Sequence, residues 1–291
     1  MSAMVSSGDW STGELLVQTE AGLGIVKDKS KMSKCHRLEG QVAIVTAATK
    51  GIGLAIAERL GAEGAAVVIC SRSQKNVDEA VQYLKSKGIS KVDGLAVHVA
   101  NTEHQKKLID FTVAKYHKID ILINNHGINP AFGHILDVQD SVWDKLFEVN
   151  VKAGWQLAKL VHPYMVKNGG GNIVFNASIG AYKPGPGIAA YAVTKTTLLG
   201  LTKALANGLA KDNIRVNAIA PGVIKTKLSQ ALWDGDGDEG EKNMVDTLEV
   251  PLGRLGVPEE CAGAVAFLVS DDAKYITGET ILITGGIHAR L

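Results

Sequence analysis

Seven short apolar runs separated by longer helical stretches constrain this chain more than any other feature. The runs are Val42–Thr46, Ala66–Cys70, Leu95–Val99, Ile119–Asn124, Asn172–Asn176, Arg215–Ile219 and Thr280–Ile283. They are near-continuously apolar rather than alternating, which fits strands covered on both faces. Between them lie Leu54–Leu60, Asn76–Lys87, Glu103–Tyr116, Trp143–Lys167, Tyr191–Leu209 and Pro258–Ser270, amphipathic or alanine-rich segments of helical length. This alternation predicts an α/β fold: a doubly wound, mostly parallel seven-stranded sheet with helices on both faces. With 291 residues and 46% hydrophobic content, the chain can bury a large core in a single domain.

Residues 1–36 do not share the pattern. They are Ser/Gly/Lys-rich without a sustained period and read as a flexible extension ahead of one domain over 37–291. Asp9, Glu14, Glu20 and Asp28, with no arginine before Arg37, argue against a mitochondrial presequence. Lys+Arg 31 against Asp+Glu 30 leaves a formal charge of +1, which points to a small molecule rather than nucleic acid or an anionic surface. No apolar run reaches the ~20 residues of a membrane span. Cys35, Cys70 and Cys261 form no CxxC pair and fit a reducing compartment. The terminal Ala289-Arg290-Leu291 has the small-basic-leucine form of a peroxisomal address, a short signal that an ordinary charged tail also matches.

In such sheets ligands bind beyond the carboxyl ends of the strands. After the first run comes Thr46-Ala47-Ala48-Thr49-Lys50-Gly51-Ile52-Gly53, leading straight into a helix. Gly51 and Gly53 would let the backbone approach a pyrophosphate at the helix N-terminus, the Rossmann-type arrangement; a plain strand-to-helix turn is the simpler reading of the glycines alone. The second run ends in Ser71-Arg72, where NAD-binding proteins carry an acidic residue for the ribose 2′-hydroxyl. An arginine there suits a 2′-phosphate, and Lys50 adds a second cation, so the expected cofactor is NADP(H).

Tyr191 and Lys195 stand four apart on a helix and share one face. A phenol is a poor acid–base group at neutral pH unless its pKa is tuned, and a neighbouring ammonium would lower it. With the turn at Thr46–Gly53, which is similar to TGxxxGIG, further motifs follow in order. Asn124-Asn125-His126-Gly127 is similar to NNAG, Asn150 stands in a helix, Ser178 and the Tyr191/Lys195 YxxxK pair come next, and Pro221-Gly222 with Thr226 forms a PG turn. On these residues the chain, from Leu38 to its end, resembles the short-chain dehydrogenase/reductase superfamily.

The resemblance implies a catalytic set of Asn150, Ser178, Tyr191 and Lys195. Hydride passes from the nicotinamide to a carbonyl carbon, Tyr191 protonates the oxygen, Ser178 bonds it, Asn150 holds a relay water and Lys195 binds the nicotinamide ribose. It implies cofactor contacts from Thr46, Ala48, Lys50, Gly51, Ile52, Gly53, Ser71, Arg72, His98, Asn125, Gly127, Pro221, Gly222, Val223 and Thr226, besides Tyr191 and Lys195. Three positions depart from the pattern: Ala47 replaces the first glycine, which is tolerable if its φ is negative; His126 replaces the alanine of NNAG; and His98 stands where an aspartate often contacts adenine.

These departures, with Asn129-Pro130, Asn176-Ala-Ser178 and the terminal tripeptide, resemble the group of peroxisomal NADPH-dependent carbonyl and retinal reductases. That likeness implies a small-molecule carbonyl substrate (dicarbonyls, aromatic ketones, quinones or retinal) and a homotetramer built through the two long helices and the last strand. A 3-oxoacyl-thioester reductase shares every catalytic residue and is the alternative enzyme; a non-catalytic NADP(H)-binding scaffold is the alternative from another class. Trp233–Gly240 superficially resembles a calcium loop but has Glu239 and Val245 where glycine and glutamate belong, so no metal is expected. It is read instead as the tip of a flexible lid, with Leu228, Leu232 and Trp233 either lining the pocket or packing the lid down.

Overall fold

A computed structural model describes residues 17–19, 22–24, 36–234 and 238–287. The chain divides into two units, Met1–Cys35 and His36–Leu291. In the first, strands β1 (Val17–Thr19) and β2 (Gly22–Gly24) pair antiparallel, a ladder that the patternless sequence did not announce. The rest of the extension, and the terminal tripeptide, lie outside the described residues.

In the second unit, β3 (Val42–Thr46), β4 (Ala66–Ser71), β5 (Val92–Ala96), β6 (Ile121–Asn124), β7 (Gly171–Asn176), β8 (Ile214–Pro221) and β9 (Thr280–Ile283) form one parallel sheet, in the order β5-β4-β3-β6-β7-β8-β9. Alternate strand residues feed two cores, because successive side chains point to opposite faces. Ala43, Val45, Val67, Ile69, Ile121 and Ile123 pack on one side with α1 (Gly51–Ala62), α2 (Gln74–Ser86) and α8 (Pro258–Val269). Ile44, Val68, Leu122, Ile173, Phe175 and Val216 pack on the other with α3 (Thr102–Tyr116), α5 (Ala153–Lys167) and α6 (Ala189–Leu209). The chain winds outward from β3 to β5 and returns to β6 on the opposite side, so the order reverses between β3 and β6, and a crevice opens at their carboxyl ends.

Three departures from the sequence reading have physical causes. The third strand runs over Val92–Ala96 rather than Leu95–Val99: Asp93 breaks the apolar run, but at this sheet edge its carboxylate is held by Tyr116 (2.6 Å) and Lys115 (3.1 Å). The helix expected over Trp143–Lys167 begins earlier and is interrupted: α4 (Asp140–Phe147) passes into a wider π-type turn, Glu148–Lys152, before α5. Such insertions gather at functional sites, and this one carries Asn150. Finally, α7 (Asp238–Leu248) begins inside the segment Trp233–Gly240 read as a flexible lid tip. Among the described residues no helix is long and apolar enough to cross a membrane.

Candidate active site

The crevice begins with the turn after β3. Helix α1 opens at Lys50 with no side-chain cap and no acidic residue in its first turn, so its N–H groups face outward for an anion. Gly51 has φ +55°, which favours glycine. The third glycine has a different purpose. A Cβ on Gly53 would stand 2.4 Å from Asn125 Nδ2 and 2.6 Å from the Ala47 carbonyl oxygen. Its absence lets Asn125 donate to the carbonyls of Thr46 (3.1 Å) and Ala47 (3.2 Å). Arg72 and Lys50 are exposed at this end of the crevice, as placed by the sequence, and Ser71 is half-buried at the end of β4. The cradle therefore fits a dinucleotide.

Ala47 does not take the negative φ that would make it harmless: its φ is +50°, the left-handed conformation the missing glycine would adopt freely. Ala47→Gly should raise stability by about 1 kcal/mol, the alanine strain less the entropy of a freer unfolded chain. A thermal melt should show an increase of about 2–4 °C; an unchanged or lower melting temperature would mean the turn is unstrained.

The residues expected to be catalytic converge from β7, the π-type turn and α6. Ser178 follows β7 in extended conformation, and its Oγ accepts the Gly180 N–H (3.1 Å), leaving the hydroxyl proton to point elsewhere. Tyr191, in the first turn of α6, is half-buried beside Ser178. Lys195, 3% exposed, lies one turn on, its Nζ 5.5 Å from the Tyr191 ring centre. Asn150 is 2% exposed; its Oδ1 accepts the Ile128 N–H (2.8 Å), and its Nδ2 donates to Ile128 O and Thr194 Oγ1, both at 3.0 Å. Thr194 Oγ1 in turn donates to Tyr191 O (2.7 Å). Both amide hydrogens of Asn150 are thus spent joining the loop after β6 to α6, so its side chain clasps the two together. A Cβ on Gly127 would stand 3.3 Å from Lys195 Nζ, so a side chain there would crowd the ammonium.

Burial acts on both members of the Tyr191–Lys195 pair. Burial pushes the Tyr191 phenol up to about 12, with the Ser178 hydroxyl beside it pulling the other way. Lys195 Nζ donates to the Asn176 carbonyl (2.6 Å), and burial lowers its ammonium to about 8. Asn176, the last residue of β7, was noted in the sequence but given no role; a polar residue ending an apolar strand run was the available signal.

His126, 5% exposed, is a second residue the motifs did not assign. Thr46 Oγ1 accepts the N–H groups of Asn125 (3.0 Å) and His126 (3.3 Å), donates to the Ile123 carbonyl (3.1 Å), and lies 2.9 Å from His126 Nδ1. Burial, with help from the Lys195 charge, depresses the imidazole to about 3. The folded chain therefore refuses a proton that the unfolded chain takes near pH 6.5. Stability from this residue is complete above that value and drains away as pH falls toward 3, by several kcal/mol in all. His126→Ala should flatten the loss of denaturation midpoint between pH 6.5 and 4; a slope equal to that of the unaltered chain would count against a buried neutral imidazole.

Beyond β8, Gly222 N donates to Ile283 O (2.8 Å) and Gly256 N to Val223 O (3.1 Å), fixing the PG turn against β9. Thr226 reaches back over the glycine turn, its Cγ2 3.1 Å from where a Gly51 Cβ would be. Trp233 packs the lid down: its Nε1 donates to Ser229 Oγ (3.1 Å), and its ring joins Val245, Val250 and Leu255, whereas Leu228 and Leu232 are exposed. On the opposite rim the loops after β6 and β7 meet where Gly133 N donates to Gly187 O (3.0 Å), with the Phe132 ring against Gly187. His98 lies two residues beyond β5, and its N–H donates to His104 Nδ1 (3.1 Å). Among the described residues no cluster of His, Cys, Asp or Glu side chains is arranged to hold a metal ion.

A doubly wound parallel sheet with a glycine cradle at its switch point and a serine, tyrosine and lysine at the adjoining strand ends defines a nicotinamide-dependent oxidoreductase, and the chain belongs to the short-chain dehydrogenase/reductase family. The family described as enoyl-(acyl carrier protein) reductase matches residues 46–288. Dehydrogenase/reductase SDR family member 4 of Caenorhabditis elegans is 71% identical over 259 residues, spanning 89% of this chain and 99% of that protein. The Homo sapiens protein of the same name is 50% identical over 262 residues, spanning 90% and 92%. Among solved structures, the 3-ketoacyl-(acyl-carrier-protein) reductase of Brucella melitensis complexed with NADH matches with a TM-score of 0.79 at 31% identity, over 86% of this chain and 98% of that one.

Proposed function

We propose that this chain is an NADP(H)-dependent reductase of small carbonyl compounds, including dicarbonyls, aromatic ketones, quinones and retinal. The observation that carries the reading is the convergence of Ser178, Tyr191 and Lys195 beside the glycine cradle. A phenol that burial holds above its ordinary value keeps its proton at neutral pH, available for a carbonyl oxygen. When bound, the reduced cofactor supplies the hydride. The Ser178 hydroxyl steadies the oxygen as negative charge develops on it, and Lys195, titrating near 8, stands close enough to working pH to help reload the tyrosine. Exposed Arg72 and Lys50 at the cradle, with no acidic residue in the first turn of α1, support NADP(H) over NAD(H).

The test follows NADPH absorbance with diketones, aromatic ketones, quinones, retinal and acetoacetyl thioester, in parallel with NADH. Turnover preferring NADPH and free carbonyls is expected. The Brucella neighbour favours a second reading, a 3-oxoacyl-thioester reductase, and activity confined to the thioester would establish it. Cofactor binding with no turnover on any carbonyl would leave a scaffold.

Two further readings belong to this proposal. The chain works as a homotetramer, for which light scattering should give four times 30.7 kDa. Ala289-Arg290-Leu291 directs it to peroxisomes, and deleting the tripeptide from a fluorescent fusion should disperse a punctate signal.

A further inference from the structure

Two local costs in the site remain unexplained by the reaction: the left-handed φ of Ala47, +50°, and the side-chain oxygen of Asn176, buried without a hydrogen-bond partner. One arrangement accounts for both. Asn125 Nδ2 faces the carbonyls of Thr46 and Ala47, at 3.1 and 3.2 Å. Both are acceptors, so the Asn125 amide has a single workable orientation, with its oxygen turned the other way. That oxygen meets Asn176 Nδ2 at 2.9 Å. Asn176 must therefore present its amino group to Asn125, and its own oxygen is left over, a costly group to bury. The main-chain carbonyl of the same Asn176 accepts Lys195 Nζ at 2.6 Å. A continuous chain of hydrogen bonds thus crosses the carboxyl ends of β3, β6 and β7, from the nucleotide turn to the catalytic ammonium. The left-handed backbone at Ala47 sits where its carbonyl meets the first link, and Gly53 leaves the room in which that link is made.

We propose that Asn176 is a positioning residue whose carboxamide locks Asn125 and so ties the nucleotide-binding turn to Lys195, setting cofactor affinity and proton transfer together. The proposal rests on the oxidoreductase reading of the site and adds a residue to it. Without the Asn176 amino group, Asn125 loses the partner that fixes its orientation, the Ala47 turn loses its clasp, and the strand end that carries the Lys195 acceptor is released on one side.

The test compares Asn176→Ala with Asn176→Ser, whose hydroxyl can still donate toward Asn125, and includes the Asn125→Ala single and double variants. Dissociation constants for NADPH and NADH are read by tryptophan fluorescence, and the pH profile of kcat is followed with the best carbonyl. Asn176→Ala should weaken cofactor binding roughly tenfold, the loss of one buried amide link, and displace the kcat profile, with Asn176→Ser recovering part of both. The Asn125→Ala/Asn176→Ala double variant should be little worse than Asn125→Ala alone, because the residues act as one unit. Equal losses in Ala and Ser, additive effects in the double variant, or an unmoved pH profile would overturn the proposal. The cofactor that the unaltered chain prefers, and whether it turns over carbonyls, tests only the functional reading, since whichever nicotinamide cofactor binds reports on Asn176.

Discussion

Replacing Tyr191 by phenylalanine should abolish carbonyl reduction while leaving NADPH affinity within a few-fold of the unaltered chain. The substitution removes one oxygen. The ring that stands 5.5 Å from the Lys195 ammonium remains, as do the Lys195–Asn176 bond and the Asn150 clasp, so the fold and cradle lose almost nothing. What disappears is the proton that the carbonyl oxygen requires as hydride arrives, and a positioned acid contributes about 10²–10⁴ in rate. Steady-state kinetics paired with fluorescence titration of NADPH should therefore show kcat down about a thousandfold at a near-constant dissociation constant. Near-normal turnover would remove Tyr191 from the mechanism, and a parallel collapse of cofactor binding would recast it as a structural residue.

The second large effect is expected at Gly53, where alanine adds a single carbon. That Cβ would lie 2.4 Å from Asn125 Nδ2, 2.6 Å from the Ala47 oxygen and 2.9 Å from the Ala48 Cα. Two of these neighbours are backbone and cannot swing aside, so helix α1 must shift away from β3 or the Asn125 links must break. Either outcome deforms the turn that receives the pyrophosphate. Gly53→Ala should lower cofactor affinity by at least about a hundredfold and destabilise the chain by about 1–3 kcal/mol, the usual range for overpacking. Calorimetric titration and a melt measure the two together. Gly208→Ala is the control: nothing lies within 4 Å of a Cβ there, and alanine in the last turn of α6 should be neutral or stabilising. If both variants bind cofactor normally, the close approach at Gly53 is not real.

Much of this architecture was legible because the signals were local. Val42–Thr46 and Thr280–Ile283 occupy the bounds expected from their apolar runs. The glycine turn, the tyrosine–lysine pair and Ser178 are brought together where the strand ends place them. What escaped depends on contacts distant in sequence. Asp93 enters a strand because Tyr116 and Lys115 neutralise it. Helix α7 offers only a short apolar stripe, Met244, Val245 and Leu248, behind a polar first half, and the π-type turn at Asn150 registers only as a slip within a continuous helical pattern. The pairing of Tyr191 with Lys195 was legible as geometry, whereas the effect of burial on both groups was not, because spacing records proximity but not desolvation. Asn176 was visible as a residue, but its partners, Asn125 just after β6 and Lys195 on α6, lie far away in sequence.

The Gly133–Gly187 contact has a consequence for how such a pocket diversifies. The loops after β6 and β7 are joined by a main-chain hydrogen bond, at residues whose φ of +141° and +84° glycine adopts readily. The bond itself uses no side-chain atom, although the Phe132 ring lies over Gly187. Positions flanking the bond, among them Phe132, 79% exposed, can therefore change size and polarity without removing it. Lineages that inherit this frame can retune what they accept by exchanging those few residues, while the acid, the cradle and the sheet beneath them stay as they are.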